Sequence, residues 1–499
     1  MLKNRINNLS WDFYSRVIIL SYLLLQILHW QMFPRFMDIY YHLLTAWGFI
    51  KAGGLSAWDF WQYAPVGRVH IYPPFFHIVL AALMKLGINN IILAKLFEVF
   101  TPVIFLIVLW KFVRKNFSDR LAFFVVLMFG SSISFYLSLL NHIPATLALI
   151  FGFLAYGQLF KKRQARSLLL LTLCFYTHIG ISLFFSLSLF FYGLFYKEFR
   201  KACLSVVTGA FILSLPILSR QVIGLKFIST LGLSLNERYV SQIKFVDYIV
   251  ASFGLVSIFK REIKYRLFFG FFLASFIFLI YPYRFFSAEG YLPVILLSAL
   301  AIDGLYNRFK DWNLFLRYTP VLAALFILFF SPTLSMEEPK AQGEPSYKIK
   351  IADSAFLGML LAKADTIWFP REYLSAAELI KDNSEDNDII YSSFNIISVA
   401  LASISGRLSA NGLFPEIKPS RHFDPISVSR IIVFTQSDRL DIRTAIVDGY
   451  HLVKIGENRL FVLYKNPFSQ GRLDISKAVV PFWAVFSIII VSIFLYALS

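Results

Sequence analysis

Long apolar runs separated by short polar connections make up the first two thirds of this chain. The clearest runs cover residues 17–33, 91–110, 121–139, 143–160 and, at the end of the chain, 478–498. A helix needs roughly 20 apolar residues to cross a bilayer, and the runs of comparable character number about twelve. The pattern therefore predicts a mainly α-helical, polytopic membrane protein with about twelve transmembrane helices.

One polar stretch interrupts this pattern early in the chain. Residues 34–73 follow the first apolar run and contain too many polar residues, prolines and glycines to span a bilayer. The next apolar run, residues 74–86, is about 13 residues long and is also too short to span. We expect a large polar loop followed by a helix that lies along the membrane surface.

A second change of pattern precedes the last apolar run. Between residues 333 and 476 the composition becomes that of a soluble protein. Its segments alternate between helical and strand periodicity: a helix at 371–383, a strand at 388–393, a helix at 395–406, a strand at 430–435 and a hairpin at 450–466. We therefore divide the chain into a transmembrane domain (1–332) that carries loop 34–73, a soluble α/β domain (333–476) and a final transmembrane helix (477–499).

Composition and charge support a membrane protein and indicate its orientation. The chain is 58% hydrophobic and has a mean hydropathy of +0.64, values that exclude a soluble protein of this length. The net charge of +18 comes from short basic clusters between apolar runs, such as residues 161–166, which is typical of cytoplasmic loops and excludes nucleic acid as the partner. The arrangement predicts a multi-pass protein of the cell membrane with a cytoplasmic N-terminus. Loop 34–73 and the soluble domain are then extracytoplasmic.

Asp38 is the first candidate catalytic residue. It lies near the start of the polar loop, where an ionised carboxylate would face substrate at the membrane surface. There it could act as a general base or as a ligand of a divalent cation such as Mg or Mn, and the alternative is a helix cap. His42 follows at i+4 and would share a helical face with Asp38, either to orient the carboxylate and contact substrate or to form a local hydrogen bond.

Arg68, His70 and Tyr72 form a second candidate group in the same loop. They precede Pro73 and Pro74, which would end the loop and begin the surface helix. A ligand that carries phosphate would need such donors. Arginine and tyrosine also anchor proteins at membrane interfaces, and this alternative stays open.

Two later connections on the predicted outer side carry further candidates. His142 follows an apolar run and could join Asp38 as a metal ligand or contact lipid headgroups. Tyr283, Arg284 and Glu289 lie in the sequence YPYRFFSAEGYLP between two apolar runs, and we predict that they bind substrate. Arginine there could neutralise a lipid phosphate or extend to the interface without any catalytic role.

The sequence DIYYHLLTAWGFIKAGGLSAWDFWQYAPVGR, which begins at Asp38, and the following YPPFFH resemble the first external loop of GT-C glycosyltransferases. They are most similar to the loop of archaeal and bacterial oligosaccharyltransferase catalytic subunits, over about forty residues. In that family a carboxylate matches Asp38, a tyrosine-histidine pair matches Tyr41 and His42, and a late external arginine that holds the carrier phosphate matches Arg284. The archaeal Asp-His pair of the second external loop resembles Asn141 and His142, without the acid. The soluble domain lacks the family's acceptor-binding tryptophan pair, which argues against asparagine glycosylation.

The resemblance implies a GT-C-like membrane glycosyltransferase. Such an enzyme transfers a sugar from a polyprenyl-phosphate or polyprenyl-diphosphate donor to an extracytoplasmic glycan, lipid or protein acceptor, in contact with membrane lipids. Two alternatives from other classes are a lipid-linked glycan transporter or flippase and a non-catalytic partner in cell-envelope assembly. Transporters usually place binding groups at the bilayer midplane, whereas the polar candidates here gather near one edge.

Overall fold

A computed structural model describes residues 10–34, 38–227, 242–337, 348–352, 371–413, 417–419, 421–471 and 478–498. Most of them are helical. In chain order the helices are α1 (Trp11–Leu28), α2 (Asp38–Ala52), α3 (Phe75–Lys85), α4 (Asn90–Asn116), α5 (Asp119–Met128), α6 (Ile133–Asn141), α7 (Ile143–Phe160), α8 (Gln164–Thr177), α9 (Ile179–Phe195), α10 (Lys197–Leu213), α11 (Leu215–Gly224), α12 (Phe245–Ile258), α13 (Arg266–Ser275), α14 (Pro282–Ser287), α15 (Leu292–Arg308), α16 (Leu314–Phe330), α17 (Arg371–Asn383), α18 (Asn395–Ser405), α19 (Pro425–Val428), α20 (Leu440–Gly449) and α21 (Phe482–Leu498). Short 3-10 turns connect several of them.

Among these helices, the segments long and apolar enough to cross a membrane are Trp11–Leu28, Asn90–Asn116, Ile143–Phe160, Ile263–Ile280 and Glu289–Arg308. Two bent helix pairs, α5 with α6 and α10 with α11, raise the number from 5 to 7 if each pair is one span. Shorter apolar helices, including α3, α9 and α21, accompany them. The prediction of a mainly helical, polytopic membrane protein is therefore confirmed, and the number twelve stays a prediction.

The apolar run at 121–139, predicted as one straight span, is broken in the structure. α5 ends at Met128, a 3-10 turn covers Phe129–Ser131, and the hydroxyl of Ser132 accepts a hydrogen bond from the Phe135 amide to begin α6. Serine side chains compete for backbone hydrogen bonds and so favour helix ends. Helix α6 then ends at Asn141, immediately before His142.

Among the described residues, the strands lie in four small sheets. They are β1 (Gly54–Leu55), β2 (Trp58–Asp59), β3 (Arg68–Val69), β4 (Gln242–Ile243), β5 (Thr333–Glu337), β6 (Lys348–Ala352), β7 (Ile389–Ser392), β8 (Leu408–Ser409), β9 (Ile431–Thr435), β10 (Val453–Glu457), β11 (Phe461–Lys465) and β12 (Val480–Pro481). The largest sheet has the order β10-β11-β9-β7-β8, parallel among β8, β7 and β9 and antiparallel beyond. These strands and helices α17 and α18 confirm the elements predicted at 371–383, 388–393, 395–406, 430–435 and 450–466; the domain boundaries themselves stay predictions.

Residues 38–74, here called loop 1, extend this sheet at its β8 edge. The Ser409 amide donates to the Trp61 carbonyl at 3.0 Å, and the Ala64 amide donates to the Ser409 carbonyl at 3.0 Å. β1 in loop 1 also pairs with β12, which leads into the last helix, and a Cβ on Gly54 would overlap the Val480 backbone there. Loop 1 and the C-terminal sheet therefore form one continuous layer.

A buried ion pair stabilises this layer. Arg68 Nε lies 3.0 Å from Asp59 Oδ2, and the two side chains are only 2% and 1% exposed. Arg68 Nη2 donates to Gln62 Oε1 at 3.3 Å, and Nη1 donates across the layer to the carbonyl of Ile417 at 3.0 Å. The guanidinium thus connects the small hairpin of loop 1 to the C-terminal segment.

We expect Arg68→Ala to lower the free energy of unfolding by about 3–5 kcal/mol, because the change leaves the Asp59 carboxylate buried without its partner. Denaturant unfolding in detergent micelles measures the effect. Arg439→Ala removes an exposed ion pair with Asp441 and is the control, with no measurable change expected. Wild-type stability of Arg68→Ala would show that the ion pair does not hold the layer together.

Candidate active site

Side chains from three distant parts of the chain meet where loop 1 faces the helix ends. His142 Nδ1 lies 2.9 Å from Glu289 Oε1, and Arg284 Nη1 lies 3.4 Å from the same carboxylate oxygen. Burial raises the pKa of the Asp38 carboxyl, and His142 and Arg284 act on it electrostatically in the opposite direction. We call Asp38, His142, Arg284 and Glu289 the acid–arginine cluster. It unites the catalytic residue predicted in loop 1 with the candidates predicted in two later connections.

Local sequence explains where these side chains stand. His142 occupies the single residue between α6 and α7, and Pro144 in the first turn of α7 is favourable there because its missing N–H needs no partner. Pro282 likewise begins α14, which carries Arg284 on a single short helix. A 3-10 turn over Glu289–Tyr291 then leads into α15. All three anchor points are helix ends at the same side of the helix bundle.

The Arg284 side chain is held by neighbouring side chains and remains partly exposed. Glu289 is 1% exposed, so its carboxylate is fully engaged inside the protein by Arg284 and His142. The Arg284 side chain keeps 20% exposure, and its Nε donates to the Tyr283 hydroxyl at 3.0 Å. Burial lowers the pKa of Arg284, but Glu289 and Tyr283 raise it by more, so the guanidinium stays charged. Such a group can bind a phosphate bidentately with its remaining donors.

The carboxyl of Asp38 has a raised pKa. Asp38 is partly exposed at the first residue of α2. Burial raises the pKa of its carboxyl, and the electrostatic influence of His142 and Arg284 opposes that shift without cancelling it. A carboxylate with a raised pKa accepts protons better near neutral pH than an ordinary aspartate does.

Tyr72 and His42, predicted to bind substrate, border the cluster. Burial is the main cause that raises the pKa of Tyr72, and Tyr41, Arg284, Asp38 and Glu289 also act on it electrostatically. The His42 ring lies 5.2 Å from the Tyr72 ring, and its Nδ1 lies 2.9 Å from His77 Nε2. His42 therefore packs against Tyr72 and helps to position it.

Arg68 and His70 have different surroundings from the other predicted ligands. Arg68 is engaged by Asp59 in the layer described above. His70 is buried with its ring 5.4 Å from both the Phe49 and Trp61 rings. Their described contacts are structural, and their predicted contact with substrate stays untested.

One residue beside Arg284, His178, is not among the site residues predicted from the sequence. His178 Nε2 lies 3.5 Å from Arg284 Nη1, and its Nδ1 accepts a hydrogen bond from the Ile181 amide at the start of α9. The available signal was its position in a turn between two apolar runs on the predicted outer side. Nothing in the local sequence indicates that Arg284 lies beside it.

The donors in the cluster do not fit a divalent cation. Across the described ranges, no group of three or more His, Cys, Asp or Glu side chains is placed to hold a metal ion. Asp38 and His142, the two predicted ligands, are neighbours, but Glu289 is already paired with Arg284. An arginine in the same cluster also repels a cation. No step below depends on a metal.

We expect loop 1 to lose stability in acid. Burial is the main cause that lowers the pKa of His42 to about 3 and the pKa of His70 well below its ordinary value of about 6.5. Below pH 6.5 the unfolded chain therefore binds more protons than the folded one, so stability falls as the pH falls. The melting temperature in detergent should drop between pH 7 and pH 5. His70→Gln should reduce this pH dependence of the melting temperature, whereas His422→Gln, at an exposed site, should leave it unchanged. An equal pH dependence in both variants would show that His70 does not cause the loss of stability in acid.

Comparisons with known proteins agree with this geometry at the level of the fold. No protein-family model matches the chain, and no curated protein matches it in sequence. Among solved structures, one similar to this chain is the archaeal oligosaccharyltransferase AglB from Archaeoglobus fulgidus, in complex with an inhibitory peptide and a dolichol-phosphate. The alignment covers 85% of this chain and 69% of the AglB chain, with a TM-score of 0.54 and 12% identity.

A second similar structure has nearly the same length as this chain. ArnT from Cupriavidus metallidurans aligns over 91% of this chain at 12% identity. In the apo state the alignment covers 98% of the ArnT chain with a TM-score of 0.55. In the structure bound to undecaprenyl phosphate it covers 99% of the ArnT chain with a TM-score of 0.54. Both proteins are GT-C membrane glycosyltransferases. The resemblance seen in loop 1 is therefore confirmed as a shared architecture: this chain has the fold of the GT-C membrane glycosyltransferases.

Proposed function

We propose that this protein transfers a sugar from a polyprenyl-phosphate or polyprenyl-diphosphate donor to an acceptor hydroxyl outside the cytoplasm. The observation that carries the proposal is the contact of His142 and Arg284 with Glu289 in the acid–arginine cluster, with the Asp38 carboxyl within electrostatic range of His142 and Arg284. A base beside a charged, partly exposed arginine suits attack on a sugar whose leaving group is a phosphate. Two proteins with this fold were solved with dolichol-phosphate and undecaprenyl phosphate, which supports a lipid phosphate as the leaving group.

In the proposed reaction, the acceptor oxygen attacks the anomeric carbon of the sugar. Asp38 takes the proton from that oxygen while the bond between the anomeric carbon and the phosphate oxygen breaks. The electron pair of that bond goes to the phosphate, and Arg284 stabilises the negative charge that develops there. The Tyr283 hydroxyl holds Arg284 Nε at 3.0 Å.

Glu289 and His142 act through Arg284 in this proposal. Glu289 contacts the guanidinium at 3.4 Å and is itself held by His142 at 2.9 Å, so that less side-chain entropy is lost when the phosphate arrives. The phosphate leaves readily, so a general acid is not required. The acceptor, whether glycan, lipid or protein, would enter beside Asp38 from the layer formed by loop 1 and the C-terminal sheet.

Incubation of the purified protein in detergent with a radiolabelled polyprenyl-phosphate sugar tests the proposal. With a hydroxyl acceptor present, or with water in its place, we expect consumption of the donor and release of polyprenyl phosphate, measured by thin-layer chromatography, without any membrane. A transporter or an assembly partner cannot show turnover in detergent. An inactive preparation that still binds polyprenyl phosphate would point to one of those two classes instead.

A further inference from the structure

A second charged cluster lies at the far ends of helices that begin beside the active site. α7 begins at Ile143, next to His142, and 18 residues at 1.5 Å each place its end about 27 Å away. α4 also begins near the C-terminal sheet, since the Asn90 side chain donates to the Ser403 carbonyl. α21 begins beside loop 1, because it follows strand β12, which pairs with β1 of that loop. The opposite ends of these helices, together with the start of α8, carry the basic cluster, defined as Lys115, Lys161, Arg163 and Arg166.

Contacts between the helix ends bring these cations together. Arg166 Nη2 donates to the carbonyl of Ala497 at 3.1 Å, and the guanidinium lies 5.1 Å from the centre of the Tyr496 ring. Lys115, Arg163 and Arg166 act electrostatically on Lys161. Partial desolvation and these like charges lower the pKa of Lys161. An ammonium group is a donor only, so an anionic acceptor beside Lys161 and Lys115 would offset their repulsion.

The described residues do not supply that acceptor. In the part of the chain that the structure describes, no carboxylate forms an ion pair with any of the four cations, whereas the neighbouring Arg114 is paired with Asp12 and Asp119. The Nε of Arg166 is buried and lacks a hydrogen-bond partner there. The first turn of α8 also has no side-chain cap, which leaves its amide groups free for an anion.

We propose that the basic cluster binds the phosphate of an anionic lipid headgroup, on the membrane face opposite the active site. A lipid is favoured over a free anion because the last helix passes the cluster with its apolar side uncovered. Ile490 is 65% exposed and Phe494 is 63% exposed, so acyl chains can lie along α21 while the headgroup reaches Arg166. Basic side chains at the end of transmembrane helices are a known source of affinity for such lipids.

Titration of the purified full-length protein with phosphatidylglycerol, followed by native mass spectrometry, tests this site. The triple variant Lys115→Gln, Lys161→Gln, Arg163→Gln should weaken binding of the first phosphatidylglycerol about 100-fold, from the usual contribution of a basic residue near a membrane surface. Phosphatidylcholine should bind wild type and variant equally weakly. Sugar transfer in detergent should not change, because the active site lies at the other end of the helices.

The matched control is Lys260→Gln, Arg308→Gln, Lys310→Gln, which removes the same charge from other exposed basic positions. This variant should keep the wild-type affinity for phosphatidylglycerol. Equal weakening in both triple variants would show diffuse attraction and overturn the site. Inorganic phosphate should not displace phosphatidylglycerol from the wild-type protein. If inorganic phosphate occupied the cluster as readily as the lipid, the lipid assignment would be overturned in favour of a free anion.

Discussion

Sugar transfer by Asp38→Asn is expected to be about 10²–10⁴-fold slower than by the wild-type protein, the usual contribution of a general base. The amide cannot accept the proton of the acceptor hydroxyl. Asparagine is nearly isosteric and equally favourable at the start of a helix, so α2 should form as before. The measurement is the initial rate of donor consumption at saturating acceptor.

Asp119→Asn is the matched control for that variant. Asp119 is 50% exposed and pairs with Arg114 at 3.2 Å, away from the acid–arginine cluster. It should retain the wild-type rate, and both variants should have the wild-type melting temperature. Near wild-type transfer by Asp38→Asn would remove this carboxylate from the mechanism while leaving the fold assignment intact.

Arg284→Gln is expected to reduce transfer about 10²–10³-fold, as removal of one group that stabilises a developing negative charge does elsewhere. Affinity for polyprenyl phosphate should fall with it, because the same guanidinium holds the product. The single change leaves the Glu289 carboxylate without its arginine, so it also destabilises the protein. Arg284→Gln combined with Glu289→Gln removes both charges and should recover stability without recovering transfer.

Arg261→Gln serves as the control for the arginine. Its side chain is 17% exposed against 20% for Arg284, and it is paired with Asp303 at 2.8 Å, so the environment is comparable. Binding of polyprenyl phosphate should be unchanged in this variant. If the stable double variant still bound polyprenyl phosphate with wild-type affinity, Arg284 would not be the phosphate ligand.

The limits of sequence reasoning are clearest at Arg68 and Arg284. Both were predicted to bind substrate, and both are arginines in polar connections next to tyrosine or histidine. Asp59, only nine residues away, captures Arg68 in a buried pair, whereas Arg284 keeps part of its surface open. A local sequence shows which donors are present, but the partner that occupies them is decided by the path of the chain in space.

By itself, the sequence determined the class of protein and its local elements. Apolar runs predict membrane helices because burial in lipid requires continuous hydrophobic length, and the alternation in residues 371–466 predicted strands β7 and β9 and helices α17 and α18. Tertiary structure alone decided that Asp38, His142 and Arg284 share one cluster, that His178 lies beside it, and that the run at 121–139 bends before His142. These outcomes depend on how distant helix ends pack, and contacts between distant segments leave no periodic pattern in either of them.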